Sequence, residues 1–366
     1  MKVRNKKKTD NRMEWVRNFE EIAESKTETI YSTEYELFSE VKIPGILEYM
    51  NGLLLWGIIL GDESIENPYN YTIQIKHNQE SFEYNEAKYT EDWYYFHGWI
   101  IGELIAIFSV YFWVRFYLKT TIIWELSTTS VKGRYEHNPI YRKPQVFLNR
   151  EMLTNKDLNW AKDDWLKKFL DLIKKLPENE HQCVILACYW YGEAIREIGV
   201  DRNLFYVKMV SCIESLLEPL QDENDKIEDK FNSLFKENYF SKDEMIDVKG
   251  WLKNRKISKR FIYFIEKYSV DFDWKEKEPK HCFIKKQELK EYLTRIYKAR
   301  SAYLHKGTPM YISDDMDTDW DISPAGDVMV DQRKILEKEK LPRMRWFEEI
   351  TRHCLLNFIQ DKATTK

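Results

Sequence analysis

The sequence predicts a two-part chain: an α+β domain with an antiparallel sheet, followed by an all-α helical bundle. Three observations carry this. Tyr35, Leu37, Val41 and Ile43 share one parity while Glu34, Glu36, Glu40 and Lys42 take the other, which is the period of a strand with one wet face. Tyr71, Ile73 and Ile75 alternate with Thr72, Gln74 and Lys76 in the same way. From Asn155 onward nearly every apolar segment has helical spacing instead. The expected boundaries are a basic tail with a short helix over 1–25, the α+β domain over 26–150 and the helical domain over 151–366.

In chain order, Trp15, Phe19 and Ile22 mark a short helix over Glu14–Ala23. Pro44-Gly45 signals a turn after the first strand. Leu53 to Leu60 is a continuous apolar run between Gly52 and Gly61, as for a buried strand, and Phe82 to Tyr84 offers a further short one. A helix is expected from about Thr90 to Tyr111, then a strand over Val114 to Leu126. Residues 127–150 hold Gly133, Pro139 and Pro144 and read as a linker or a crossing loop. In the second half, Trp165, Phe169, Ile173 and Leu176 form a stripe ended by Pro177. Helices follow over Cys183–Ile198, stopped at Gly199, and over Leu204–Leu220. Ile227, Phe231 and Leu234 mark another, and Ser241 with Glu244 forms a capping-box pattern opening one through Leu252. Phe261–Tyr268, Gln287–Leu304 and Arg343–Gln360 complete the set.

Bulk properties narrow the functional classes. At 43% hydrophobic and 15% aromatic residues, wholesale disorder is excluded. The five cysteines, Cys183, Cys188, Cys212, Cys282 and Cys354, form no C-x-x-C and read as reduced, mostly buried thiols of a cytoplasmic protein. Lys2, Arg4 and Lys6 to Lys8 are followed by no apolar stretch, so the N-terminus reads as a solvated tail or an auxiliary phosphate-binding arm, not a signal peptide. Trp99 to Val114 is almost wholly apolar, with Glu103 its only charge. A membrane span needs ~20 such residues, so a buried core helix is expected and no membrane partner. No metal site is expected: His181-x-Cys183 and His281-Cys282 lack partners at zinc-ligand spacing. Asp315, Asp317 and Asp319 are followed by Trp320 where a calcium loop needs glycine, which leaves a solvated acidic loop or a screen for the adjoining basic helix.

The overall charge of −4 is unevenly placed. Trp251 to Met310 carries 16 lysines and arginines against 7 acidic residues, a net +9. Such a field favours a polyanion, and RNA is the obvious one; a charged solvated helix face is the plain alternative. Within this block, Leu289, Leu293 and Ile296 set an apolar helical stripe on which Arg300 and Leu304 also fall. An always-charged guanidinium on a core-facing line needs a partner. Val207, Val210 and Leu217 put Glu214 on the buried stripe of its own helix, and a buried carboxylate must be paired or protonated. Arg300 is the best candidate. A plain interhelical ion pair and a carboxylate orienting Arg300 at a phosphate site are both open, and they are compatible.

Five positions after Arg300, at the helix end before Gly307 and Pro309, lies His305. The segment Arg300-Ser301-Ala302-Tyr303-Leu304-His305 resembles the R-x4-6-H motif of the HEPN superfamily, most closely its Apea-like branch. Phe205 to Glu218, an apolar helix carrying a glutamate followed by two leucines, resembles that branch's other recurrent segment. The resemblance covers the C-terminal half. It implies a HEPN-like helical bundle and a metal-independent endoribonuclease without a cofactor, with Arg300 and His305 catalytic and Glu214 and Ser301 supporting. Tyr303, Lys306 and Lys298 are the expected RNA contacts. HEPN ribonucleases often have Asn, Asp or His where this chain has Ser301, a polar residue that can also hydrogen-bond.

The chemistry fits those residue types. Metal-free RNA cleavage needs a base for the 2′-hydroxyl, an acid for the leaving 5′-oxygen and a cation for the phosphate. One chain offers one such histidine, and the resemblance implies a homodimer in which two motifs face one groove. A five-residue offset turns about 140° on a regular helix, so Arg300 and His305 converge only if the helix end loosens or a second chain contributes. A helix-terminal histidine that merely complements the dipole is the alternative. The resemblance further implies a role in antiviral defence, abortive infection or toxin-like growth arrest, through cleavage of tRNA or other RNA; the N-terminal α+β domain would then sense a trigger, restrain the nuclease or recruit RNA. The rivals are a non-catalytic HEPN module that binds RNA or a nucleotide, and a helical protein-interaction module whose Arg300–Glu214 pair is only structural.

Overall fold

A computed structural model describes residues 12–24, 31–39, 46–50, 53–58, 69–77, 99–125, 130–136, 165–217, 257–279, 282–310, 320–322, 328–330, 333–335 and 339–365. The expected turn at Pro44-Gly45, strand at Phe82–Tyr84, helices over 227–252 and acidic loop from Asp315 to Asp319 lie outside these residues, as does the basic tail. Two compact units make up the chain, Met1–Val200 with Ile359–Lys366, and Asp201–Phe358. The sequence expectation divides the chain near residue 150, whereas this division groups the helices over 165–196 with the sheet.

The first unit is built on a six-stranded antiparallel sheet, order β2-β3-β4-β1-β5-β6. Its strands are β1 (Tyr31–Ser39), β2 (Ile46–Tyr49), β3 (Leu53–Ile58), β4 (Tyr69–His77), β5 (Phe116–Glu125) and β6 (Ser130–Glu136). β1 lies between β4 and β5, with Tyr35 opposite Ile73 on one side and Thr121 on the other. Its alternation holds: Tyr35 and Leu37 are buried while Glu34 and Glu36 are partly exposed. In β4, Tyr71, Ile73 and Ile75 are buried and Lys76 is exposed. Two expectations need correction. β6 occupies part of the segment read as a linker and pairs with β5, from Thr120 opposite Glu136 to Glu125 opposite Ser130. β2, four residues long, pairs with β3 where no strand was expected. β2 is too short for a period to stand out; β6 does alternate, Val131 and Tyr135 against Lys132, Arg134 and Glu136, but Gly133 and the nearby prolines favour a loop reading.

Helix α1 (Glu14–Glu24) buries Trp15, Val16 and Phe19, and the Trp15 and Phe19 rings pack on Tyr49 of β2 at 6.2 and 6.4 Å. Helix α2 (Trp99–Phe112) is buried nearly all round, as its uniform apolar character requires. Phe108 and Phe112 each lie 6.4 Å from Phe116 of β5. Among the described residues no helix is long and apolar enough to cross a membrane. Glu103, 4% exposed, is explained by α1: its carboxylate accepts the backbone N–H groups of Glu14 at 3.0 Å and Trp15 at 2.9 Å. Helix starts present such unpaired donors, so the one acidic side chain inside α2 caps its neighbour. Helices α3 (Trp165–Lys174) and α4 (Glu178–Arg196) meet at Pro177, the residue before α4. Buried Glu180 of α4 is met by Lys362 at 2.8 Å.

The second unit contains α5 (Arg202–Glu214), α6 (helical over residues 257–268) and α7 (Leu289–Lys306), together with the first part of α8 (Met344–Thr364). Asp201 caps α5 by accepting the Leu204 N–H at 3.0 Å. Tyr206 stacks on Phe347 at 5.3 Å, and Phe264 and Tyr268 pack on Phe358 at 5.6 and 5.5 Å. The unit is not all-α: β7 (Val328–Val330) and β8 (Arg333–Ile335) pair as an antiparallel hairpin. Three-residue strands carry almost no periodic signal, so helical spacing on either side masks them. The five cysteines are free thiols, and four of them are buried.

Candidate functional site

Helix α7 owes its length to strong helix formers and its end to Gly307. Gly307 takes φ 64°, ψ 18°, a left-handed conformation that costs glycine least, and its N–H bonds Tyr303 O at 2.9 Å. Leu289, Tyr292, Leu293 and Ile296 are buried, so the expected stripe holds through two turns. It then fades: Tyr297 and Arg300 are partly exposed and Leu304 is 48% exposed. Leu304 therefore does not continue the core line.

Arg300 and Glu214 meet. Arg300 Nη2 donates to Glu214 Oε2 at 2.8 Å, with side chains 19% and 21% exposed. The helical stripes are thus right about the partners and wrong about full burial; both side chains lie at the rim. Glu214 is the last residue of α5, where the helix dipole disfavours an anion, and a cation from another helix offsets that. Glu214 Oε1 is occupied as well, by the hydroxyl of Tyr297 at 2.9 Å. The Tyr297 ring packs against Phe261 of α6 at 5.5 Å, and the Arg300 guanidinium lies 5.9 Å from its centre. Burial first, then the charge and hydrogen bond of Glu214, push the Tyr297 phenol far above its ordinary range, against the pull of Arg300. The Tyr297 hydroxyl therefore keeps its proton and donates the hydrogen bond to Glu214. Arg300 Nε is buried without a hydrogen-bond partner among the described residues, and Nη1 makes no hydrogen bond there either.

The other expected site residues are not drawn into this cluster. The helix stays regular through Lys306, so the loosened end that would let His305 converge on Arg300 within one chain does not occur. His305, Lys306 and Lys298 are exposed; Ser301 and Tyr303 are half-buried. His305 and Lys306 sit in the last turn, where positive charge complements the dipole. The basic block is only partly available to a ligand. Lys285 is buried, its Nζ donating to Lys275 O and Glu278 O at 2.6 Å each. Arg295 pairs with Glu291 on its own helix. Lys259, Lys277, Lys286, Lys290, Lys298 and Lys306 are exposed.

Tyr297 is the member sequence reasoning missed. The signal existed: Leu293, Tyr297, Arg300 and Leu304 follow one another at spacings of four, three and four, so Tyr297 shares a face with Arg300. Among the described residues no group of three or more His, Cys, Asp or Glu side chains is arranged to hold a metal ion. Comparison with family models, with curated proteins and with solved structures finds no match.

Proposed function

We propose that this chain is a metal-independent RNA endonuclease of HEPN type, acting as a homodimer through its helical unit in antiviral defence or toxin-like growth arrest. The observation that carries the reading is the Arg300 guanidinium, held at the rim of a strongly basic segment by Glu214, with His305 exposed one and a half turns on. In the proposed reaction the ribose 2′-oxygen bonds to phosphorus while a histidine takes its proton. The bond from phosphorus to the 5′-oxygen breaks, and a second histidine protonates that oxygen. The products are a 2′,3′-cyclic phosphate and a 5′-hydroxyl. Arg300 holds the phosphate and meets its growing charge. His305 supplies one of the two proton-transfer groups and the partner subunit's His305 the other. Ser301, Tyr303, Lys298 and Lys306 line the path of the RNA. The N-terminal α+β region senses a trigger, restrains cleavage or recruits RNA.

The test is incubation of the purified protein with total RNA in EDTA, followed by sequencing of the new ends. Cleavage with 2′,3′-cyclic phosphate ends is expected. Cleavage that vanishes with EDTA, or that leaves 3′-hydroxyl ends, overturns the mechanism. A second reading has its own support: Arg300 is already engaged, and His305 is turned about 140° from it on a regular helix. On that reading the unit is a non-catalytic helical module that binds RNA, a nucleotide or a protein, and the Arg300–Glu214 pair is an interhelical clasp. Absence of cleavage with an intact dimer favours it.

A further inference from the structure

We propose that Tyr297 is a positioning residue that keeps Arg300 singly held by Glu214, so that the guanidinium retains donors for a phosphate. The inference rests on the reading of Arg300 as the phosphate-holding group. A carboxylate beside an arginine frequently closes on it with two parallel hydrogen bonds. Such a fork-to-fork pair neutralises the cation and uses one whole edge of it. Here only one of those bonds is present, from Nη2 to Oε2. The other carboxylate oxygen is taken by the Tyr297 hydroxyl at 2.9 Å. Nη1 is left without a hydrogen bond among the described residues.

Tyr297 can do this because packing fixes where its hydroxyl goes. Its ring leans on Phe261, which has no exposure, and it rises from α7 one turn before Arg300. Three helices therefore meet in one chain of contacts: Phe261 of α6, Tyr297 and Arg300 of α7, Glu214 of α5. A purely structural clasp has no need of the tyrosine, since a two-bond pair holds two helices at least as well. A phosphate site does need it, because the anion must find donors still available.

Three proteins test this: Tyr297→Phe, Glu214→Gln and the double variant. Tyr297→Phe keeps the packed ring and removes only the hydroxyl. Its crystal structure is expected to show Glu214 closed on Arg300 with both oxygens. RNA cleavage in EDTA is expected to fall about ten-fold, the effect of one hydrogen bond to a charged group, with the melting temperature within about 2 °C of wild type. Adding Glu214→Gln is expected to restore most of that loss, because an amide has one acceptor and cannot close on the fork. A Tyr297→Phe structure in which Glu214 still makes one bond to Arg300 overturns the proposal. So does a double variant that cleaves no better than Tyr297→Phe. If the wild-type protein cleaves no RNA, the nuclease reading fails by itself, and the crystal structure of Tyr297→Phe still decides the role of Tyr297.

Discussion

Arg300 and Glu214, 86 positions apart in sequence, form a 2.8 Å ion pair that joins the C-terminal end of α5 to the second half of α7. It is neither a surface pair nor a core pair. Exposed pairs typically contribute 0.2–1 kcal/mol, and breaking a fully buried one costs 3–5 kcal/mol. At about one-fifth exposure on each side, the coupling energy is expected to fall near 1–2 kcal/mol. A double-mutant cycle with Arg300→Ala and Glu214→Ala, measured by chemical denaturation, checks this. A coupling near zero shows the pair to be incidental.

His305→Ala separates chemistry from stability. The side chain is exposed, so stability is expected to stay within about 0.5 kcal/mol of wild type. Loss of a general acid or base lowers RNA cleavage by ~10²–10⁴. Undiminished cleavage by this variant moves the active site elsewhere. Light scattering at micromolar concentration is expected to give the mass of a dimer for both proteins.

RNA affinity is expected to fall steeply with salt, through the exposed lysines of the basic block. Lys298→Ala and Lys306→Ala should each lower the slope of log affinity against log salt by roughly one contact's worth, about 0.7 for single-stranded RNA. Lys285→Met behaves differently: its ammonium holds two loop carbonyls, so the variant loses stability and leaves the slope unchanged. A flat salt dependence in the wild type removes this block as the RNA surface.

The stability of the first unit is expected to depend on pH through Glu103. Burial raises its carboxyl to about 8, outweighing the two backbone N–H groups that favour the anion. The folded state thus holds a proton that the unfolded chain releases near pH 4.5. The folded protein binds more protons between those values, so stability declines as pH rises from about 4.5 to about 8. Glu103→Gln mimics the protonated acid and lacks this decline. The difference in melting temperature between the two proteins, followed from pH 5 to pH 9, should grow in favour of the variant. A constant difference contradicts the assignment.

Local pattern was enough for much of this molecule. The period-two runs of β1 and β4, the apolar α2 and the caps at Pro177 and Gly307 are set by residues within one turn or one strand of each other. Helical spacing also brought Glu214 and Arg300 onto inward-leaning faces, where a carboxylate and a guanidinium attract each other. What depends on distant neighbours stayed hidden. β2 is a strand because β3 offers it hydrogen bonds, and the alternation of β6 is masked by Gly133 until β5 pairs with it. Leu304 falls on the apolar spacing of α7 yet is exposed, which spacing alone does not reveal. Glu103 reads as a stray charge until α1 brings two backbone donors to it. Tyr297 reads as one more aromatic until its hydroxyl reaches Glu214. Periodicity reports which side of an element is apolar; only the packed tertiary structure decides which groups, far apart in the chain, lie within the 3 Å that a hydrogen bond requires.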